Sequence, residues 1–168
     1  SQAHGAIYKG KRIGCFGDIA VFSTMFSKTL ATGGCGGLVY TENEDLYWLV
    51  RSYADKGKPF HLPDFDCRKF DECLFPALNF NLDELSCAIG FSTLSRLQET
   101  IDKRLEISER IDKDLEASSI VSPHTQSCPD SRSSIFFHTV VVDVERLSVS
   151  KINFAEAVAA EGIGINPD

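Results

Sequence analysis

Between Asp18 and Tyr40 the chain reads DIAVFSTMFSKTLATGGCGGLVY. Two short apolar runs, Ile19 to Phe22 and Leu38 to Tyr40, bracket a hydroxyl at Ser23, a lone lysine at Lys28 and glycines at 33, 34, 36 and 37. The pattern predicts a buried strand, a loop and a second strand. Such a loop can hold a phosphate through backbone N–H groups and present an amine. No acidic residue lies within nine positions of Lys28. A desolvated, unpaired lysine serves as an amine nucleophile, whereas most lysines keep their heads in water. The glycines follow the lysine, so the segment is neither the dinucleotide fingerprint nor the NTPase phosphate loop, and a tight turn is the plain alternative.

The chain has 168 residues, 43% apolar and 24% charged, which is ordinary globular composition. Its formal charge of −7 and pI of about 5.1 argue against a nucleic-acid surface, which needs a basic face. No stretch is long and apolar enough to span a membrane, and no signal-peptide pattern opens the chain. The six cysteines form no CxxC pair and read as reduced thiols of a cytoplasmic protein. His61, Cys67 and Cys73 fit no familiar zinc spacing, so no metal is expected. The chain opens without Met and closes on GIGINPD, a helix exit and the start of a strand. It therefore reads as a piece of a longer protein.

In order, residues 1 to 17 read as loop with a hairpin at Lys9-Gly10-Lys11. Thr41 to Glu44 has capping-box spacing before a helix over about 43 to 56, whose apolar face is Leu46, Leu49, Val50 and Tyr53 and whose C-cap is Gly57. Residues 58 to 77 carry three prolines and aromatic residues at 60, 65, 70 and 75. They read equally as a functional or partner-contacting loop and as an irregular apolar cover. One amphipathic helix of about thirty residues is predicted from Asp83 onward, long enough to link two domains. A mostly polar loop with a short strand over 118 to 132, a strand over Ser134 to Val144 and a helix over Val149 to Glu161 complete an α/β order.

Several segments, in order, resemble the DegT/DnrJ/EryC1/StrS family of sugar aminotransferases: SQAHGAIYKGKRIGCFGD, GDIAVFSTMFSKTLATGGCGGLVYT, RSYADKGK, LNFNLDELSCAIG and STLSRLQETIDKR. The resemblance is strong to about Arg104 and looser beyond. It implies pyridoxal 5'-phosphate as cofactor and an α/β fold. On that reading residues 1–100 are part of the C-terminal half of the large domain of the aspartate-aminotransferase fold. Residues 101–168 are a linking helix and an incomplete α+β C-terminal domain. Carried over by position, Lys28 falls where the family forms a Schiff base with the cofactor aldehyde and later moves the substrate proton. Ser23 falls on the phosphate-binding hydroxyl, and Gln2 on the glutamine beside the cofactor ring. Asn79 falls on an asparagine that reaches across a homodimer to the partner's cofactor phosphate. The implied reaction moves an amino group, usually from glutamate, to a nucleotide-linked keto-sugar.

Three positions depart from the family pattern. Cys35 stands where the glycine loop often carries glutamate, and Asn81 where an arginine commonly follows the asparagine. The carboxylate that pairs with the pyridine nitrogen belongs just before Ser1, and without it the ring is a poorer electron sink. A non-catalytic, regulatory relative that binds cofactor or sugar is the alternative of another class. A sugar dehydratase of the same family is disfavoured by Lys28, because those enzymes carry histidine there. An unrelated glycine-loop anion binder is the remaining reading.

Overall fold

The computed structural model describes residues 1–68, 73–124 and 128–166. Strands β1 (Ile7–Tyr8) and β2 (Lys11–Arg12) pair antiparallel across Lys9 and Gly10. Both turn residues have positive φ, +47° and +73°, the geometry of the two-residue turn that matches the strand twist. Strands β3 (Ala20–Ser23) and β4 (Gly37–Tyr40) form the second hairpin, in register from Ala20 opposite Tyr40 to Ser23 opposite Gly37. The expected strands are thus present and pair with each other. The expectation that the first is buried is not met: Val21 is 70% exposed, because β4 covers an edge and not a face.

Helix α1 (Glu44–Ala54) is capped by Asn43, whose side chain accepts from Leu46 N–H at 3.1 Å. The predicted cap at Thr41 is displaced by two residues, since the Thr41 hydroxyl donates instead to the Asp18 carbonyl at 2.6 Å. The helix closes at Asp55, and Gly57 two residues on returns its N–H to the Ser52 carbonyl. Residues 58–68 and 73–77 are irregular, and Phe70 of the expected aromatic series lies outside the described residues.

The predicted thirty-residue helix is two helices, α2 (Glu84–Ser95) and α3 (Leu97–Leu115), broken at Arg96. The hydroxyls before the break explain it. Ser95 donates to the Ser92 carbonyl, and the single Thr93 hydroxyl proton lies between the carbonyls of Ala31, at 2.7 Å, and Gly90, at 3.1 Å. Side chains that bond back to carbonyls bend a helix whatever its apolar stripe. Helix α2 is apolar on all sides yet buries no residue, with Leu85 and Phe91 79% and 78% exposed.

Strand β5 (Val121–Pro123) pairs antiparallel with β7 (Val140–Val142), while β6 (Ser131–Arg132) pairs with β1. The long strand expected over Ser134 to Val144 therefore shortens to its last part. The reason is local: the Arg104 guanidinium donates to the carbonyls of Ile135 and Phe136, and Ile135 adopts a positive φ. A 3-10 turn (Val144–Arg146) leads to α4 (Lys151–Ala160), capped by the Ser150 hydroxyl on Asn153 N–H. Ile163 to Asn166 is irregular, and the last two residues of the strand expected at the end lie outside the described residues.

Two units result. The first holds Ser1–Leu105 and Cys128–Phe136; the second holds Glu106–Ser127 and Phe137–Asp168. In the first, Ile101, Leu30, Thr24, Thr32, Ser52 and His4 are buried. In the second, Ala155 and Ser108 are buried, and the Ser108 hydroxyl lies 2.9 Å from His138 Nδ1. Among the described residues no helix is long and apolar enough to cross a membrane, and no three ligating side chains gather into a metal site. All six cysteines are free thiols.

Candidate active site

The site is built on the segment that links β3 to β4. After Ser23 the chain continues the hairpin for a few residues, with Thr24 N–H bonded to the Gly36 carbonyl at 2.8 Å and Phe26 N–H to the Gly34 carbonyl at 2.7 Å. The glycines are the return limb of this extension, so their carbonyls close the loop and their part is conformational. Gly36 is a glycine for want of space: a Cβ there would lie 2.7 Å from Thr24 Oγ1 and 2.9 Å from Thr32 Oγ1.

Those two hydroxyls form a buried clasp. Thr32 Oγ1 donates to the Thr24 carbonyl at 3.0 Å, and Thr24 Oγ1 lies 3.0 Å from Thr32 Oγ1. Thr32 has one proton and the carbonyl takes it, so the proton between the hydroxyls is supplied by Thr24. The Thr32 N–H adds a third bond to the Thr24 carbonyl at 2.9 Å. The clasp closes residues 25 to 31 into a loop with Lys28 at its centre, four residues from each threonine. A turn within it bonds Lys28 N–H to the Met25 carbonyl at 2.8 Å.

Lys28 is half-buried, not desolvated as its sequence surroundings led us to expect. Its ammonium lies 4.3 Å from the centre of the Phe136 ring, a cation–π contact. Among the described residues no carboxylate pairs with it. Ser23 Oγ accepts a long bond from Met25 N–H at 3.4 Å, and its own O–H is committed to no described residue. Beside Ser23 sits His4, 3% exposed, with Nε2 2.8 Å from the Ser23 carbonyl and its ring 5.7 Å from that of Phe22. Burial holds the imidazole below its ordinary value of 6.5, and the positive charge of Lys28 adds to that effect.

Of the four residues singled out from sequence, Lys28 lies in this loop and Ser23 ends β3 just before it. Gln2 is exposed, two residues before His4. Asn79 lies at the exit of α1, where its backbone bridges to Asp55 and its Oδ1 accepts from Asn81 N–H at 3.0 Å. There the Asp55 carboxylate meets Lys58 Nζ at 2.8 Å. Lys58, with help from the Asn81 side chain, holds this carboxyl below the usual carboxylate range. Tyr53 stacks on Phe80 with ring centres 6.1 Å apart, and both rings are exposed with Leu78. Sequence reasoning missed His4 and the threonine clasp. The symmetric placing of Thr24 and Thr32 about Lys28 was a readable signal for the clasp; His4 had none beyond a buried-size side chain among small residues.

Among the described residues the Lys28 amine has no carboxylate partner and the Ser23 O–H no acceptor, and an amine and a hydroxyl of this kind fit a group carrying an aldehyde and a phosphate. Known proteins resemble this chain over most of its length. GDP-perosamine synthase of Escherichia coli O157:H7 is 31% identical over 127 residues, which cover 76% of this chain and 32% of that protein. The sugar aminotransferase CalS13 from Micromonospora echinospora superposes with a TM-score of 0.81 at 27% identity, over 98% of this chain and 42% of that one. E. coli GDP-4-keto-6-deoxy-D-mannose-3-dehydratase with bound hydrated PLP shares the fold, with a TM-score of 0.81 at 22% identity. The chain thus spans between about a third and two fifths of the length of these proteins. The family model of the DegT/DnrJ/EryC1/StrS aminotransferases matches residues 1–167, and the chain belongs to that family and has its α/β fold.

Proposed function

We propose that this chain supplies the lysine-bearing part of the active site of a pyridoxal-phosphate-dependent aminotransferase. The observation that carries the reading is the clasped loop, which presents an amine with no carboxylate partner among the described residues and follows a serine whose O–H has no acceptor among them. Pyridoxal phosphate, when bound, supplies an electron sink for the electron pair left on the substrate carbon. Lys28 Nζ would hold the cofactor through its aldehyde until a substrate amine takes its place, and the amine so released would move the proton at the substrate carbon. Ser23 Oγ would donate to the phosphate, and Gln2 would hold the ring. The Phe136 ring shields Lys28 Nζ on one side from water.

The substrate class follows the relatives, one of which is named for the amino sugar nucleotide GDP-perosamine. We therefore propose a nucleotide-linked keto-sugar as amino acceptor and glutamate as donor. A homodimer completes the site, with Asn79 directed to the partner protomer's cofactor phosphate. The exposed Tyr53, Leu78 and Phe80 around Asn79 support a contact there. Six free thiols support a cytoplasmic enzyme. One observation favours the non-catalytic reading: Asn81, where the family commonly carries arginine, is engaged with Asp55 and brings no positive charge for a donor carboxylate.

Absorbance with added pyridoxal phosphate, followed by mass spectrometry with glutamate and a keto-sugar nucleotide, tests both readings. The visible band of lysine-bound cofactor, its loss in Lys28→Ala and an aminated sugar nucleotide are expected. A band without product identifies the non-catalytic relative, and no band in the full-length protein refutes the cofactor assignment.

A further inference from the structure

We propose that His4 is a positioning residue for the phosphate end of the site, acting through the peptide unit that joins Ser23 to Thr24. The proposal rests on the assignment of Ser23 to the cofactor phosphate made above. A carbonyl only accepts, so the 2.8 Å contact with the Ser23 oxygen requires the proton on His4 Nε2. The N–H of the same peptide unit, on Thr24, is bonded to the Gly36 carbonyl at 2.8 Å. The two atoms of a trans peptide point in opposite directions. This unit is therefore gripped on both sides, by the imidazole on one and by the returning glycine limb on the other. With this plane held on one side of Ser23 and the β3–β4 pairing of Ser23 with Gly37 holding the backbone on the other, the Ser23 Cα–Cβ direction is held as well, and it presents the hydroxyl.

The imidazole is itself anchored. Its ring packs on Phe22, and a Cβ on the next residue, Gly5, would collide with the fully buried Ile101. The His4-bearing segment therefore has no room to yield. The other nitrogen, Nδ1, is buried and has no hydrogen-bond partner among the described residues. A ring that leaves one nitrogen unpaired is a poor choice for core filling alone. What it contributes is the Nε2–H donor.

Binding of pyridoxal phosphate and of pyridoxal, which lacks the phosphate, separates positioning from general support. His4→Phe keeps a ring on Phe22 and removes the donor; His4→Gln keeps a donor of similar reach. Loss of a hydrogen bond to a charged group corresponds to roughly 10- to 100-fold in affinity, the range expected of Ser23→Ala. We expect His4→Phe to weaken pyridoxal phosphate about tenfold and to leave pyridoxal within about twofold, with His4→Gln restoring most of the loss. In a Ser23→Ala background His4→Phe should add little, because the two act through one hydroxyl. Equal losses for both compounds, additivity with Ser23→Ala, or a His4→Gln variant as weak as His4→Phe would each overturn the proposal. A failure of the Ser23 assignment is visible separately, as a Ser23→Ala variant that binds pyridoxal phosphate as tightly as wild type. A failure of the lysine assignment shows as a cofactor band that survives Lys28→Ala.

Discussion

Replacing Thr32 with valine keeps the shape of the buried clasp and removes one hydroxyl from it. The proton inventory predicts the consequence. Thr24 O–H loses its acceptor, Thr32 Oγ1, while Thr24 is 0% exposed and water cannot take over. The Thr24 carbonyl keeps its bond from the Thr32 N–H at 2.9 Å, so the backbone remains satisfied. A buried donor left without a partner costs about 1–3 kcal/mol, and Thr32→Val should destabilise by that amount. Thr24→Val differs. Thr32 still donates to the Thr24 carbonyl at 3.0 Å, and only an oxygen lone pair loses its partner. That variant should cost about 0.5–1.5 kcal/mol, the ordinary net worth of one hydrogen bond. With both residues changed to valine no buried donor remains unpaired. The double variant should therefore be more stable than Thr32→Val alone, giving a coupling of about 1 kcal/mol or more. Urea denaturation of the four proteins at a common m-value measures this. Equal costs for the two single variants, or additive costs in the double, would refute the proton assignment.

Three other outcomes follow from the same geometry. Gly36→Ala drives a methyl group between the two threonine hydroxyls, at 2.7 and 2.9 Å, and should cost roughly 1–3 kcal/mol in the same assay. Asn43→Ala should cost about 1 kcal/mol by removing the cap of α1, and Thr41→Ala should leave the helix capped; circular dichroism during thermal melting distinguishes them. Asp55, whose pKa in the fold is held below its ordinary 3.8, contributes stability that is present above that value and lost as pH falls through the lower one. Asp55→Asn should therefore be the less stable protein at pH 6, and its deficit should shrink as pH falls below 3.8, as read by denaturation across a pH series.

What was legible in the sequence is what short-range pattern encodes. The strands on either side of Lys28 and the helix over Leu46 to Tyr53 follow from periodicity and turn residues a few positions apart. The order and spacing of several motifs, from SQAHGA through the Lys28 segment, RSYADKGK and LNFNLDELSCAIG to STLSRLQETIDKR, carried the resemblance to the family. The misreadings come from bonds that periodicity does not report. The stripe through Leu94, Leu97 and Ile101 suggested one helix, but hydroxyls at 93 and 95 bonded to carbonyls and broke it. The β-branched run after Ser134 suggested one strand, but Arg104, distant in sequence, took the carbonyls of Ile135 and Phe136. His4 depends on Ser23 in the same way, through a contact of nineteen residues' separation. Burial was over-read for Val21, because apolar sequence reports only a preference for cover.

The ring over Lys28 comes from Phe136, in a part of the first unit that the chain reaches only after passing through residues 106–127 of the second. The clasp joins residues 24 and 32 and closes over a short span, so it can form as soon as the hairpin has left the ribosome. During synthesis the loop therefore acquires its shape well before it acquires its roof. A chain ending at Leu105 lacks Phe136 and with it the ring that lies over Lys28. The timing of elongation thus separates making the reactive group from sheltering it.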